Sequence, residues 1–302
     1  MRWRGGRRSR NVEDRRGSSP IGARFPGGIR LPRGRVGSRR AGAGGIGALV
    51  VMALLALVFG IDPRILLEGG PSYESEVPFP TEGPVTEEDR KLADFVSVVL
   101  ADTEDTWHGI FDGQFGETYQ EPTLVLFSGA VESACGFAEA AVGPFYCPLD
   151  QQVYIDLSFY RDLESRFQAP GDFAQAYVIA HEIGHHVQTL LGISEQVRQA
   201  RGGLGEAEAN ALSVMQELQA DCFAGVWAHH AQGRGLLERG DVEEALNAAS
   251  AIGDDRLQMQ TRGYVAPDSF THGSSEQRVD WFRRGLDTGD LQGCDTFGSA
   301  QL

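Results

Sequence analysis

Histidine is scarce in this chain, seven in 302 residues, yet two of them fall four apart in the run His181-Glu-Ile-Gly-His185. On a helix that spacing stacks both rings on one face, where they can reach the same ion. Zinc suits imidazole, takes a third protein ligand, and in catalytic sites leaves a fourth position for water. Glu182 follows the first histidine and is placed to take a proton from that water rather than to bind the ion. Bound zinc lowers the pKa of its water to roughly 7, so hydroxide is available near neutral pH. The alternative is two histidines on a wet helix face, but the residues around this motif are apolar. Gly184, between the ligands, is a small neighbour suited to a close approach of another helix.

A third ligand must come from elsewhere. The class whose third ligand is a histidine six residues past the second is excluded, because Leu191 stands there and Gln188 stands where that class carries glycine. A glutamate from a later helix remains, with Glu195, Glu206, Glu208 and Glu217 as candidates. Glu195 is expected in a loop past the helix end, and Glu206 and Glu208 at a helix start, where acids meet the dipole. Glu217 and Asp221 are four apart among Leu212, Val214, Leu218 and Phe223. Two carboxylates on a buried face need a reason. Glu217 is assigned as metal ligand, and Asp221 as the group that holds His181 by its other ring nitrogen. The bland reading is an acidic pair on a solvated face. The remaining histidines read blandly: His186 points away from the pair, His229 and His230 end a helix, and His108 is unassigned.

Several elements must position these groups. A helix starts at Thr86, with Asp89 returning the cap, and buries Leu92, Phe95, Val96, Val99 and Leu100. Thr123–Phe127, Gly143–Cys147 and Gln152–Asp156 read as strands, the last two joined by a turn at Pro148-Leu-Asp150. The metal-binding helix is expected to be capped by Asp172 and to stop near Gly192. A longer helix covers 206–232, and shorter ones follow from Asp241 and from Ser274 to about Gly285. The pattern is α+β, a small sheet beside a mostly helical domain. Nothing repeats at a fixed period, which excludes solenoids and propellers.

His181-Glu-Ile-Gly-His-His-Val-Gln188, Glu217-Leu-Gln-Ala-Asp221 and Thr271-His-Gly-Ser-Ser-Glu-Gln-Arg278 together resemble the bacterial neutral zinc metallopeptidases. Pro144-Phe-Tyr-Cys-Pro148 and Val153-Tyr-Ile-Asp156 add to the resemblance, which covers most of 89–294. The order of motifs is also similar to that of the membrane heat-shock and prenyl-protein metalloproteases. The resemblance implies a zincin-like fold, zinc as cofactor, and a peptide or protein substrate. It further implies that His272 stabilises the oxyanion of the tetrahedral intermediate, a donation that contributes about 3–4 kcal/mol in a dry cleft. Tyr264 is the reserve for that role, and Arg278 is expected to steady the carboxylates. The edge of strand 143–147 is a candidate to receive an extended substrate. The rival readings are a non-catalytic zinc-containing envelope protein and an amidase acting on cell-wall peptides.

The net charge of −15 hides a division. Residues 1–40 hold 13 arginines and only Glu13 and Asp14 as acids, while the other 40 acidic residues lie downstream. Residues 41–61 carry no charge, and a run of about 20 such residues is long enough to cross a bilayer. The expected organisation is therefore a basic, disordered cytoplasmic tail (1–40), one N-terminal transmembrane helix acting as signal anchor (41–61), a linker (62–85), and an extracytoplasmic metallopeptidase domain (86–302). Basic residues stay inside, so a single-pass cell-membrane protein with its N-terminus in the cytoplasm follows. A cleaved signal peptide is the alternative. No nucleic-acid partner is expected, since only Trp3 and Phe25 in the tail could stack on bases. Four cysteines fit an oxidising compartment, with Cys135–Cys147 and Cys222–Cys294 as the preferred pairing.

Overall fold

The structure is a computed structural model that describes residues 1–17 and 85–298. The expected transmembrane helix at 41–61, and nearly all of the linker, lie outside the described residues. Among the described residues, no helix is long and apolar enough to cross a membrane.

The architecture is α+β, as the pattern implied. Four strands form one sheet in the order β1 (Val12–Asp14), β2 (Thr123–Phe127), β6 (Gln152–Asp156), β5 (Phe145–Cys147). The first three run parallel, and β5 closes the other edge antiparallel to β6. Strand β2 is apolar on both faces because each face meets a core. Leu124 and Leu126 enter the main core, while Val125 and Phe127 pack with Tyr154 and Cys147 in a second cluster. A separate hairpin, β3 (Ala130–Ser133) with β4 (Gly136–Glu139), packs nearby, and the Cys135–Cys147 disulfide ties its turn to β5.

Helices cover one side of the sheet. Helix α1 (Glu87–Ile110) starts with the expected box, in which the Asp89 amide donates to Thr86 Oγ1 at 3.1 Å and the Thr86 amide to Asp89 Oδ2 at 2.9 Å. Helix α2 (Ser158–Ser165) follows the sheet. Helix α3 (Asp172–Leu190) carries the histidine motif, and α4 (Ile193–Arg201) follows after one turn. Helix α5 (Glu206–Gly233) is almost wholly buried from Leu218 to Ala228. Then come α6 (Asp241–Ala251), α7 (Asp254–Arg262) and α8 (Ser275–Thr288).

The approach of α5 to α8 is the tightest contact. A Cβ on Gly225 would lie 2.1 Å from the Phe282 carbonyl oxygen, and one on Gly285 would lie 1.9 Å from that of Cys222. Only hydrogen at both positions lets the two backbones meet, and the Cys222–Cys294 disulfide fastens the same corner. Both expected cysteine pairs are therefore present.

Three local expectations need correction. Asp172 is the first residue of α3 and Gly171 precedes it as the cap, so the Asp172 carboxylate is free for the Met1 amine at 2.6 Å. Glu195 lies in helix α4 rather than in a loop, where it pairs with Arg198. Residues 1–17, expected to be disordered, instead include strand β1 and pack on α1. Their arginines find acids on α1, including Glu104, Asp105 and Asp94. Charge counted along the sequence could not reveal that pairing.

Candidate metal centre

Helices α3, α5 and α8 converge on the predicted cluster. His181 and His185 project from one face of α3, with ring centroids 4.8 Å apart and planes at 86°. His181 Nε2 lies 3.2 Å from Glu217 Oε2, and His185 Nε2 lies 3.4 Å from Glu217 Oε1. Ligand atoms of the three residues all fall within 4.8 Å of one another. Four ligands at about 2.0 Å around a tetrahedral zinc are about 3.3 Å apart. The two nitrogen–oxygen spacings are close to that edge length, each to a different oxygen of Glu217, so the donor set suits such an ion.

The other ring nitrogens are occupied, which aims Nε2 at the metal position. His181 Nδ1 donates to Asp221 Oδ1 at 2.9 Å, and a carboxylate can only accept there. His185 Nδ1 donates to Gln188 Oε1 at 2.9 Å. Gln188 is itself held by Gln216 and Gln219 on α5, through contacts of 2.7 and 3.0 Å. The sequence motif alone gives Gln188 no orienting role. Its orienting role depends on where α5 passes, which spacing does not reveal.

Asp221 is fully buried and receives four donors. Besides His181, they are the Tyr177 hydroxyl at 2.5 Å, Arg278 Nε at 2.8 Å and Arg278 Nη2 at 3.0 Å. Arg278 thus steadies a carboxylate as expected, reaching from one turn into α8. The histidine motif by itself gives Tyr177 no role. Its place four residues before His181 was the available signal.

The electrostatics follow from this packing. Burial alone would raise Asp221, but Arg278 and His181 outweigh it and hold the carboxyl down to about 2. Burial would depress His181, yet Asp221 and Glu217 lift it to about 10. Burial likewise opposes the Glu217 charge, and the two histidines bring its pKa well below the usual range. For Glu182, burial dominates and raises the carboxyl. A metal ion would therefore displace protons held between imidazoles and carboxylates.

Two cavities meet at the cluster. One, of about 370 Å³, is lined by His181, Glu182, His185, Glu217, His272 and Arg278 together with an apolar wall that includes Phe145 and Phe159. The other, of about 660 Å³, runs past Ser194, Arg198, Arg201 and Gln216. Tyr146, His185 and Glu217 line both. Strand β5 forms part of the wall and is an edge of the sheet.

His272 is half-exposed at this rim. Its turn is built by Asp254, whose Oδ2 accepts the backbone amides of Thr271, His272 and Gly273 at 2.7, 2.6 and 3.1 Å. Asp254 Oδ1 also lies 3.3 Å from His272 Nδ1, and that hydrogen bond raises the imidazole pKa. Asp254 carried no signal in the sequence beyond opening a helix after Gly253. Tyr264, the reserve candidate, is exposed and does not line either cavity. Glu208 folds back on the amide of Gly205 at 3.2 Å, and Glu206 is exposed on the same first turn. His186 accepts from the Tyr146 hydroxyl and donates to the Gln120 carbonyl, away from the metal position. His229 and His230 cap backbone carbonyls, and His108 pairs with Glu121.

Comparison with known proteins places the chain in a family. The chain is 51% identical over 300 residues to the uncharacterized protein YpfJ of Escherichia coli, covering 99% of this chain and all of that one. It is 46% identical over 196 residues to an uncharacterized Mycobacterium tuberculosis protein, covering 61% of this chain and 65% of that one. No solved structure gives a significant match. The family model described as "Putative neutral zinc metallopeptidase" matches residues 1–297, and the chain belongs to that family.

Proposed function

We propose that the protein is a zinc-dependent endopeptidase in which His181, His185 and Glu217 hold the metal. The observation that carries this reading is a trio of ligands whose remaining side faces a cavity shared with Glu182 and His272. A structural zinc site is normally closed by four protein ligands. Two cavities that share Tyr146, His185 and Glu217 suit a polymer laid across them more than a small molecule that enters and stops. The edge of β5 offers backbone groups to an extended peptide.

Zinc, when bound, supplies Lewis-acid polarisation and an acidified water. Glu182 takes the proton of the attacking water at its carboxylate as the carbon–oxygen bond forms. It then delivers that proton to the amide nitrogen as the carbon–nitrogen bond breaks, so one water is consumed and an acid and an amine leave. His272 donates a hydrogen bond to the carbonyl oxygen as negative charge develops on it, with Asp254 holding the ring by Nδ1. Asp221, Tyr177 and Arg278 fix the orientation of His181 and remain outside the bond changes.

The test is purified protein beside Glu182→Gln, assayed for zinc content and for cleavage of an unfolded protein and of cell-wall peptides. Wild type should carry near-stoichiometric zinc and cleave the unfolded protein. The variant should keep its zinc and lose at least about 100-fold in rate, the lower range for removing a general base. Zinc in wild type without cleavage of either substrate favours the non-catalytic reading, and cleavage of cell-wall peptides alone favours the amidase.

A further inference from the structure

The first sixteen residues behave as part of the folded domain rather than as an appendage. Strand β1 pairs in parallel with β2, Val12 opposite Leu124 and Asp14 opposite Leu126. Hydrogen bonds continue past both ends of β1, from the Leu124 amide to the Asn11 carbonyl at 2.7 Å and from the Arg15 amide to the Leu126 carbonyl at 2.8 Å. Trp3 meets Phe95 edge-on, and the Ser9 amide donates to the Ser97 carbonyl of α1 at 3.0 Å.

Glu104 carries the argument furthest. It lies on α1 and is only 1% exposed. Its carboxylate receives Ser9 Oγ at 2.5 Å, Asn11 Nδ2 at 2.9 Å and Arg7 Nη1 at 2.9 Å. These partners all come from residues 7–11. Without that segment the site would hold a buried carboxylate stripped of those contacts, which a fold does not tolerate cheaply. The Met1 amine adds a tie at Asp172, the first residue of the metal-binding helix. Arg16 reaches the Asp89 carbonyl at 2.9 Å, so the chain leaves and re-enters this body at neighbouring points.

A topological constraint follows. An odd number of bilayer crossings between residues 17 and 85 would put β1 and β2 on opposite sides of a membrane, where they could not pair. The uncharged run at 41–61 is long enough for one crossing only, since each helical crossing takes about 20 residues. We infer that residues 1–17 and the peptidase domain occupy the same side of any membrane that the chain meets. This replaces the single-pass arrangement that charge and hydropathy suggested. It also argues against a cleaved signal, because cleavage after the apolar run would remove β1.

The test uses the full chain in its own membrane. Arg10 and Glu276 are both exposed on the folded body. The native cysteines are paired in disulfides, so Arg10→Cys and Glu276→Cys each introduce one reactive thiol. Spheroplasts of each variant are treated with a membrane-impermeant maleimide, with detergent-opened samples as the measure of full labelling. The expected result is that both positions label, or both are protected, to within about twofold. Labelling of one with protection of the other would overturn the inference, as would a domain band that has lost residues 1–17. Hydrogen exchange on the purified full chain separates docking from mere co-location. The Ser9 and Arg15 amides should exchange at least about 100-fold slower than in a free peptide, and free exchange would also overturn it.

Discussion

Replacing Asp221 with asparagine keeps its shape and removes one charge at the most densely bonded point of the site. Four donors now converge on that carboxylate, from Tyr177, His181 and two nitrogens of Arg278. An amide offers one oxygen, and its NH2 must face at least one of those donors. Arg278 is 2% exposed and would keep its charge without a compensating carboxylate. Breaking a buried ion pair from one side costs about 3–5 kcal/mol. In a domain of this size each kcal/mol is worth about 2–4 °C, so the melting temperature should fall by roughly 10 °C. His181 loses the acceptor that fixes its ring, which should weaken zinc binding by about 10–100-fold. Denaturant titration gives the first quantity, and competition with a zinc chelator gives the second. Asp221→Asn combined with Arg278→Leu should cost less than the sum of the single changes, because the stranded charge is gone. A single variant within about 1 kcal/mol of wild type, with unchanged zinc affinity, would refute the assignment of Asp221 as the anchor of the site.

Three further outcomes are expected. In Gly184→Ala the new methyl would lie 2.9 Å from the Ala220 carbonyl oxygen. Overpacking of about 1–3 kcal/mol should then outweigh the helix-propensity gain of about 1 kcal/mol. Zinc affinity should fall as α3 and α5 part, whereas a more stable variant with unchanged affinity would show that the contact is slack. Cys294→Ser opens a link between residues 72 apart and should cost about 4 kcal/mol in denaturant unfolding. A loss below about 1 kcal/mol would contradict that estimate. Burial lowers the pKa of His186 from 6.5 to about 4, against the opposing pull of its hydrogen bond to the Gln120 carbonyl, and so leaves the ring neutral. The unfolded chain therefore binds the proton first. Stability should drop by up to about 3 kcal/mol as pH falls from 6.5 to 4 and stop changing below that from this group. His186→Gln should flatten that interval in a pH series of unfolding midpoints, and an unchanged slope would place the effect elsewhere.

The candidate metal ligands were legible because they obey local rules. A spacing of four on a helix puts His181 beside His185, and the same spacing puts Glu217 and Asp221 on one face, whatever the rest of the chain does. The α+β character, the box at Thr86, strands β2, β5 and β6, and the cysteine pairing could be read for similar reasons of periodicity, turn chemistry and count. Contacts between distant segments could not. Gln188 and Tyr177 acquire their roles only because α5 and α8 pass close to α3, an approach set by Gly184, Gly225 and Gly285. Asp254 shapes the turn of His272 from across a loop. The short β1 has no apolar alternation to announce it, because its pairing with β2 and the arginine contacts to α1 supply what its own side chains lack. The sequence by itself determined which residues make up the candidate metal centre, since their spacing lives within a few turns of helix. Only the tertiary structure decided how Gln188 and Tyr177 join in orienting the ligands and where the arginine-rich start of the chain belongs, because both depend on segments far apart in the sequence.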